Sequence, residues 1–384
     1  MPPCTNYQAL RRLNMISLSL CMIVKNEEDV LARCLDCIQG IADEIIIIDT
    51  GSTDATKQIA LQYTDKVYDF AWNDDFSAAR NFSFQHAAME YILWLDADDV
   101  ISPENQKLLL ELKNTLDPSV DIVMMKYDVA FDLDGTPTMS YNRERILKRS
   151  KNFQWLGEIH EAIPPSGNIL YSDIAIWHKK LHRTDPERNL RIFEKMLADG
   201  KKLDARQQFY YARELYYHSR ITEAVQMFEA FLNQDMGWLE NKIEACRNLA
   251  KCLRLQNQSP LPALLKSFTY DQPRAEICCD IGEYFMEQKN YRTAVFWYTI
   301  AAGIQPDLNS GGFVSPDYYG YIPNIQLAVC YDHLGEYEKA NQCNEKAGAY
   351  KPNDKSYVYN RNYFKTILKE TKGWKKHDGA YESN

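Results

Sequence analysis

Apolar residues fall in two rhythms along this chain, and the rhythm changes near residue 185. In the first half, short apolar runs end in polar turns. Ile16 to Val24, Glu44 to Ile48, Val67 to Phe70, Tyr91 to Leu95, Asp121 to Val129, Arg145 to Lys148 and Ile174 to Trp177 read as strands. Segments with helical spacing lie between the early ones, at 30–41, about 55–63 and 76–89. Strands separated by helices of that length predict an α/β domain, a mostly parallel sheet with helices on both faces, over residues 15–184. Residues 1–14 read as an unstructured leader, with Met15 as an alternative start. From Asp185-Pro186-Glu187, which reads as a helix start, amphipathic helices follow one another at 187–199, 204–218 and 221–233.

The helical half carries an internal repeat. Ile221-Thr222-Glu223-Ala224-Val225, Tyr291-Arg292-Thr293-Ala294-Val295 and Tyr337-Glu338-Lys339-Ala340-Asn341 are variants of one phrase. The first gap is close to two periods of about 34 residues. That predicts a degenerate repeat around 240–270. The second gap is one period plus an insert, which Pro306 to Tyr319, with Ser310-Gly311-Gly312, supplies. An all-α array over 185–371 is expected, then a frayed tail at 372–384. Its concave groove would hold a peptide or protein. Tyr210, Tyr211, Tyr216, Tyr217, Tyr284 and Tyr298 line it or pack between helices.

Composition narrows the function classes. The 384 residues are 45% hydrophobic and 25% charged, enough for two packed domains. A net charge of −9 argues against a general nucleic-acid binder. No run reaches the length of a membrane span and no secretory signal is legible, so the expected compartment is the cytoplasm. Among ten cysteines, Cys34 and Cys37 form a lone C-x-x-C without the second pair a zinc site needs, and Cys278-Cys279 do not supply it. Buried reduced thiols are expected.

The candidate chemistry sits where strands end. Tyr91-Ile92-Leu93-Trp94-Leu95 runs into Asp96-Ala97-Asp98-Asp99. In an open α/β sheet that edge holds the ligand. Asp96 and Asp98 can share a divalent cation, Mg²⁺ or Mn²⁺, together with a substrate phosphate; the alternative is a solvated acidic turn. Asn26-Glu27 and Asp49 end the first two strands, so the edge is an acidic crevice that a metal would have to neutralise before a diphosphate could bind. Arg80, in the first turn of its helix, can face the same anion. His178, ending the last strand, is a third metal ligand by type, with a core histidine as the alternative. No G-x-G-x-x-G follows the first strand and no G-x-x-x-x-G-K-[ST] occurs, which excludes the common dinucleotide and P-loop sites.

Four stretches carry a family resemblance: Cys21-Met22-Ile23-Val24-Lys25-Asn26-Glu27, Ile48-Asp49-Thr50-Gly51-Ser52-Thr53-Asp54-Ala55-Thr56, Asp75-Phe76-Ser77-Ala78-Ala79-Arg80-Asn81 and Leu95-Asp96-Ala97-Asp98. In that order they resemble the N-terminal half of family 2 glycosyltransferases with the GT-A fold. Gly157-Glu158-Ile159-His160-Glu161 and the strand ending in His178 are similar to elements of tetratricopeptide-linked members, such as the bacterial sublancin-type peptide S-glycosyltransferases.

The resemblance implies that Asp49, with Glu27 near it, holds the nucleotide base. Asp96 would contact the ribose, Asp98 would bind Mn²⁺ or Mg²⁺, and Arg80 would face the diphosphate. Inverting transfer needs a general base opposite the leaving group. Glu161 is the first candidate, with His160 and Glu158 behind it; a structural His160–Glu161 pair is the alternative. Trp155 and Trp177 stack on a sugar or belong to the core. The expected donor is a nucleotide sugar, a UDP-sugar in particular, and the expected acceptor a peptide, protein or cell-surface glycan. No nucleic-acid partner and no transmembrane segment are expected, and homodimers are in keeping with such repeats. The rival readings are an inactive catalytic domain serving as a repeat scaffold, a glycoside hydrolase, whose carboxylates would flank a sugar bond, and a nucleotidyltransferase, which would need a basic triphosphate loop.

Overall fold

The computed structural model describes residues 15–132, 134–181, 185–307, 312 and 314–378, with side chains through Lys369. The expected leader, the tip of the insert at 308–311 and the last residues of the tail lie outside the described residues. The chain divides into two compact units. One runs to Glu214, past the boundary expected at 184/185, and the other starts at Leu215, residues 308–313 apart.

The first unit is built on an eight-stranded sheet in the order β3-β2-β1-β4-β7-β6-β8-β5. The strands are β1 (Leu18–Val24), β2 (Glu44–Asp49), β3 (Val67–Asp69), β4 (Tyr91–Trp94), β5 (Asp99–Val100), β6 (Ile122–Phe131), β7 (Pro137–Lys148) and β8 (Ile169–His178). β1, β2, β3 and β4 are parallel neighbours. β7 enters antiparallel between β4 and β6, so the sheet is mixed, and Pro137–Lys148 is far longer than the strand expected at 145–148. The reason is the turn at Asp132: its carboxylate accepts from the backbone N–H of Asp134 and of Thr136, and Gly135 takes φ +81°, so β6 and β7 form one hairpin.

Strand periodicity decides which side chains meet. Leu18, Leu20, Met22 and Val24 bury on one face with Tyr91, Leu93 and Leu95. That face is covered by α1 (Leu31–Asp36) and α4 (Pro103–Thr115), through Leu31, Leu35 and Leu109. Cys21, Ile46, Ile48, Ile92 and Trp94 bury on the other face with Phe84 of α3 (Phe76–Gln85) and with Trp155. Both faces are covered, which is why these strands read as continuous apolar runs. Asp75 caps α3 by accepting from the Ala78 N–H at 2.9 Å. The short α2 (Thr56–Ala60) follows β2. After β8 come α5 (Arg188–Ala198) and α6 (Ala205–Tyr217), whose residues through Glu214 belong to this unit.

The second unit is a stack of helices. α7 (Ile221–Leu232) packs on α8 (Leu239–Leu255), and α8 on α9 (Leu261–Lys266). α10 (Ala275–Glu287), α11 (Tyr291–Gly303), α12 (Tyr321–His333), α13 (Tyr337–Tyr350) and α14 (Lys355–Asp378) then pack each on the next. The phrases at 291 and 337 begin the second helices of the pairs α10–α11 and α12–α13, the phrase at 221 begins α7, and the degenerate repeat expected at 240–270 falls on α8 and α9. Glycine permits close approach here: a Cβ on Gly282 would meet the Tyr298 ring at 2.9 Å. Tyr298 is accordingly core, and of the expected groove tyrosines only Tyr217 is well exposed.

Candidate functional site

β4 and β8 bring the site together. Trp94 ends β4, and the chain then turns sharply so that Asp99 and Val100 pair antiparallel with His178 and Trp177. The turn sets Asp98 beside the last residue of β8: His178 Nδ1 lies 3.2 Å from Asp98 Oδ1 and 3.7 Å from Asp99 Oδ1. Arg33 of α1 clasps the two segments by donating to the carbonyls of Asp98 (3.4 Å) and Lys179 (2.8 Å). A cavity of about 640 Å³ opens over this edge, and Glu27, Arg80, Asp96, Asp98 and His178 line it.

The three clustered acids do three different jobs. Asp99 is fully buried. Its Oδ1 accepts from the Tyr127 hydroxyl at 2.9 Å, and its Oδ2 accepts from the Asp96 N–H at 3.0 Å and from Arg145 Nη1 at 3.0 Å. Asp96 is held by Arg80 Nη2 at 2.7 Å. Burial works against its charge, but Arg80 and Arg145 outweigh burial and hold the carboxyl well below the usual range. Asp98 faces the cavity and His178. Burial disfavours a charged imidazole, yet the Asp98 and Asp99 carboxylates overcome it and push His178 up to about 10.

The ligating atoms of Asp98, Asp99 and His178 lie within 4.8 Å of one another, the one such group among the described residues. Both oxygens of Asp99 are committed to neighbours, and His178 Nδ1 lies 2.9 Å from the Tyr127 hydroxyl, so Asp98 is the first candidate to meet a cation, with His178 joining it once its imidazole loses a proton. An imidazole that these carboxylates keep protonated stands in for positive charge at this spot. One carboxylate oxygen donor and one imidazole suit Mn²⁺ better than Mg²⁺.

Arg80 is not a free cation. Its Nε donates to Glu161 Oε1 at 2.6 Å while Nη2 holds Asp96, and its guanidinium lies over the rings of Trp94 (5.1 Å) and Trp155 (4.7 Å). Trp155 is thus core, 1% exposed, and serves as part of the floor under Arg80. Glu161 is not itself among the residues that line the cavity; it is joined to that lining through Arg80. His160, at φ +51°, turns away to stack on Tyr210 at 4.1 Å, with Nε2 3.1 Å from Glu214 Oε1. Burial pushes its pKa down. Glu158 pairs with Lys201 at 2.7 Å and accepts from Gln207.

Asp49 ends β2 with Oδ1 accepting from the backbone N–H of Gly51 and of Ser52, both at 2.7 Å. Its Oδ2 is buried with no partner among the described residues, and Asp49 is not among the residues that line the cavity. Asn26, at φ +54°, ties the two turns together by accepting from the Thr53 N–H at 2.8 Å. Glu27 lines the cavity, and burial, then Asp98, push its carboxyl up to about 7.

That shift has a sign. A carboxyl raised in the folded state costs stability above its unfolded pKa and costs nothing when protonated in both states. Glu27→Gln should therefore stabilise the ligand-free protein by about 1 kcal/mol at pH 8, after discounting for its open side, with the gain closing as pH falls towards 4.5. Urea midpoints of both proteins across that range check this; an equal gap at every pH would show that charge is not the cause.

Sequence reasoning missed Asp99, Tyr127, Arg145, Arg33 and Arg188. Asp99 was visible as a third acid after the strand, but its burial was not.

Residues 19–175 match the model of glycosyl transferase family 2. A TPR repeat-containing protein of Synechococcus elongatus is 44% identical over 164 residues, 42% of this chain and 39% of that protein. The SPbeta prophage-derived glycosyltransferase SunS of Bacillus subtilis is 25% identical over 225 residues, 55% of this chain and 52% of that one. The chain thus spans about half or less of these relatives' length. Among solved structures, Staphylococcus aureus TarS 1–349 aligns with TM-score 0.32 and 15% identity over 66% of this chain and 89% of that one. With the sheet order, the strand-end acids and the family match in hand, residues 19–175 constitute a family 2 glycosyltransferase domain of the GT-A type, and the chain carries tetratricopeptide-like helical pairs behind it.

Proposed function

We propose that the protein is a metal-dependent, inverting glycosyltransferase that takes a sugar from a nucleotide-sugar donor, a UDP-sugar in the first instance, and gives it to a peptide, protein or cell-surface glycan. The observation that carries the reading is the Asp98–His178 pair at the mouth of the cavity, 3.2 Å apart and backed by the buried Asp99. Asp98 and His178 would hold Mn²⁺ or Mg²⁺. Such an ion supplies charge neutralisation for a departing nucleoside diphosphate.

Around it, each residue has a role it can fill. Asp49, whose buried Oδ2 has no partner among the described residues, would accept from a base N–H once the turn admits it, with Glu27 on the neighbouring turn. Asp96, kept ionised by Arg80, offers acceptors to ribose hydroxyls. Arg80 orients Asp96 and Glu161 together and brings positive charge to the floor of the cavity. Glu161 is the general-base candidate, and its bond to Arg80 must loosen or share for it to take an acceptor proton. His160 braces the turn that carries Glu161 through Tyr210 and Glu214. An acceptor peptide in the helical groove is the reading that the resemblance to tetratricopeptide-linked members carries.

The test is a thermal-shift screen of the full chain with UDP, GDP, CDP and dTDP, each with and without Mn²⁺. A nucleotide at a hundred times its Kd should stabilise the protein by about 2.7 kcal/mol. We expect a Mn²⁺-dependent shift with UDP. The absence of any shift with all four would overturn the donor reading.

A further inference from the structure

We propose that Arg188 is an anion-binding residue of this pocket, reaching the donor diphosphate from a helix that lies outside the sheet. The inference rests on the nucleotide-sugar reading above and deepens it.

Arg188 is the first residue of α5, and its guanidinium lines the same cavity as Asp98 and His178. It stacks over the Phe76 ring at 4.8 Å, at the start of α3. Its Nε is buried without a hydrogen-bond partner, and no hydrogen bond or ion pair reaches its guanidinium among the described residues. The carboxylates that face it, Asp185, Glu161 and Glu27, act only at a distance, and Arg191 opposes them. Asp185 is taken by Arg191 at 2.9 Å and Glu161 by Arg80 at 2.6 Å.

A buried guanidinium N–H without an acceptor is costly, and native structures rarely leave one so. The cavity supplies the reason. Arg80 is spent on two carboxylates and Arg191 on Asp185, so among the described residues that line the cavity Arg188 is the guanidinium left for a diphosphate. A guanidinium offers its donors as a planar fork that fits two phosphate oxygens at once, and the Phe76 ring fixes the plane of that fork. Because α5 belongs to the same compact unit as the sheet, its position is set by that fold.

The test compares the full-length protein with Arg188→Met, which keeps a stem to pack on Phe76, and Arg188→Lys, which keeps the charge and loses the fork. Affinities for UDP and for uridine are measured by calorimetry in the presence of Mn²⁺. The expected result is that Arg188→Met weakens UDP by about tenfold to a hundredfold, as for a lost charged hydrogen bond. Uridine affinity and the thermal midpoint should stay at the wild-type values, and Arg188→Lys should fall between. UDP affinity within twofold of wild type in Arg188→Met would overturn the assignment while leaving the donor reading intact. Equal weakening of UDP and uridine would also overturn it, by showing a packing effect at Phe76. If the wild type binds no UDP at all, the donor reading fails and the assignment falls with it.

Discussion

Replacing Asp98 by alanine should lower the turnover of a UDP-sugar by about 10²- to 10³-fold, the scale on which a single well-placed group stabilising the transition state usually counts. Asp98 is the one member of the acidic trio that faces the cavity without a dedicated arginine. Asp96 belongs to Arg80 and Asp99 to Arg145. Removing Asp98 therefore deletes a ligand and its contact with His178 but leaves both arginine–aspartate pairs in place, and an unchanged thermal midpoint would assign the loss to chemistry and not to folding. UDP release from a UDP-sugar, with and without Mn²⁺, reads the effect. If Asp98→Ala keeps its thermal midpoint and retains more than a tenth of wild-type turnover at saturating Mn²⁺, the metal assignment at Asp98 is wrong.

Replacing Asp99 by alanine should act in the opposite currency, costing about 3–5 kcal/mol of stability. Asp99 and Arg145 are both completely buried, with Nη1 and Oδ2 3.0 Å apart. Arg145 lies over the Trp94 ring at 3.9 Å and the Tyr127 ring at 4.2 Å, and also donates to the Trp94 carbonyl at 3.2 Å. Without Asp99 that guanidinium keeps its aromatic cage and one carbonyl but loses its counter-charge, deep in the sheet. The Tyr127 hydroxyl and the Asp96 N–H lose their acceptor in the same stroke. Urea unfolding measures the cost. A loss below 1 kcal/mol would mean that water enters and replaces the carboxylate, and that the turn does not depend on this ion pair. The two neighbouring acids thus make a matched pair of tests, one for chemistry and one for the frame that positions it.

Much of the frame was legible because burial on both faces leaves a simple signature. Leu18 to Val24 and Tyr91 to Leu95 are apolar but for the buried Ser19, since alternate residues face two covered sides of one sheet. The helical pairs were legible from the repeat phrases at 221, 291 and 337, because each repeat buries the same small residue, Ala224, Ala294 and Ala340. The hairpin of β6 and β7 was not legible in full: its outer half is only partly buried and carries no strong alternation. The boundary between the units was hidden for a related reason. α5 and α6 have the amphipathic pattern of the later helices, yet the compact unit of the sheet includes residues up to Glu214.

The candidate site divides the same way. Residue types and their strand-end positions nominated Asp49, Asp96, Asp98, Arg80, His178 and Glu27; all but Asp49 line one cavity. The same reasoning nominated His160 beside Glu161, but the positive φ at His160 sends the two neighbouring side chains to different places, one to Tyr210 and one to Arg80.

By itself the sequence determined an α/β sheet with an acidic carboxyl edge and a helical array behind it, and it nominated a short roster of candidate side chains for a metal and a nucleotide. A local pattern specifies which face a residue takes, and strand order along the chain specifies which ends converge. Only the tertiary structure decided how the acids are divided, with Asp99 sunk against Arg145, Asp96 clamped by Arg80 and Asp98 left to His178. It also decided that Arg188, more than ninety residues from Asp96 in the chain, shares the cavity with it. Partners in an ion pair or a pocket are chosen by distances between segments remote in sequence, and no periodicity within a segment records them.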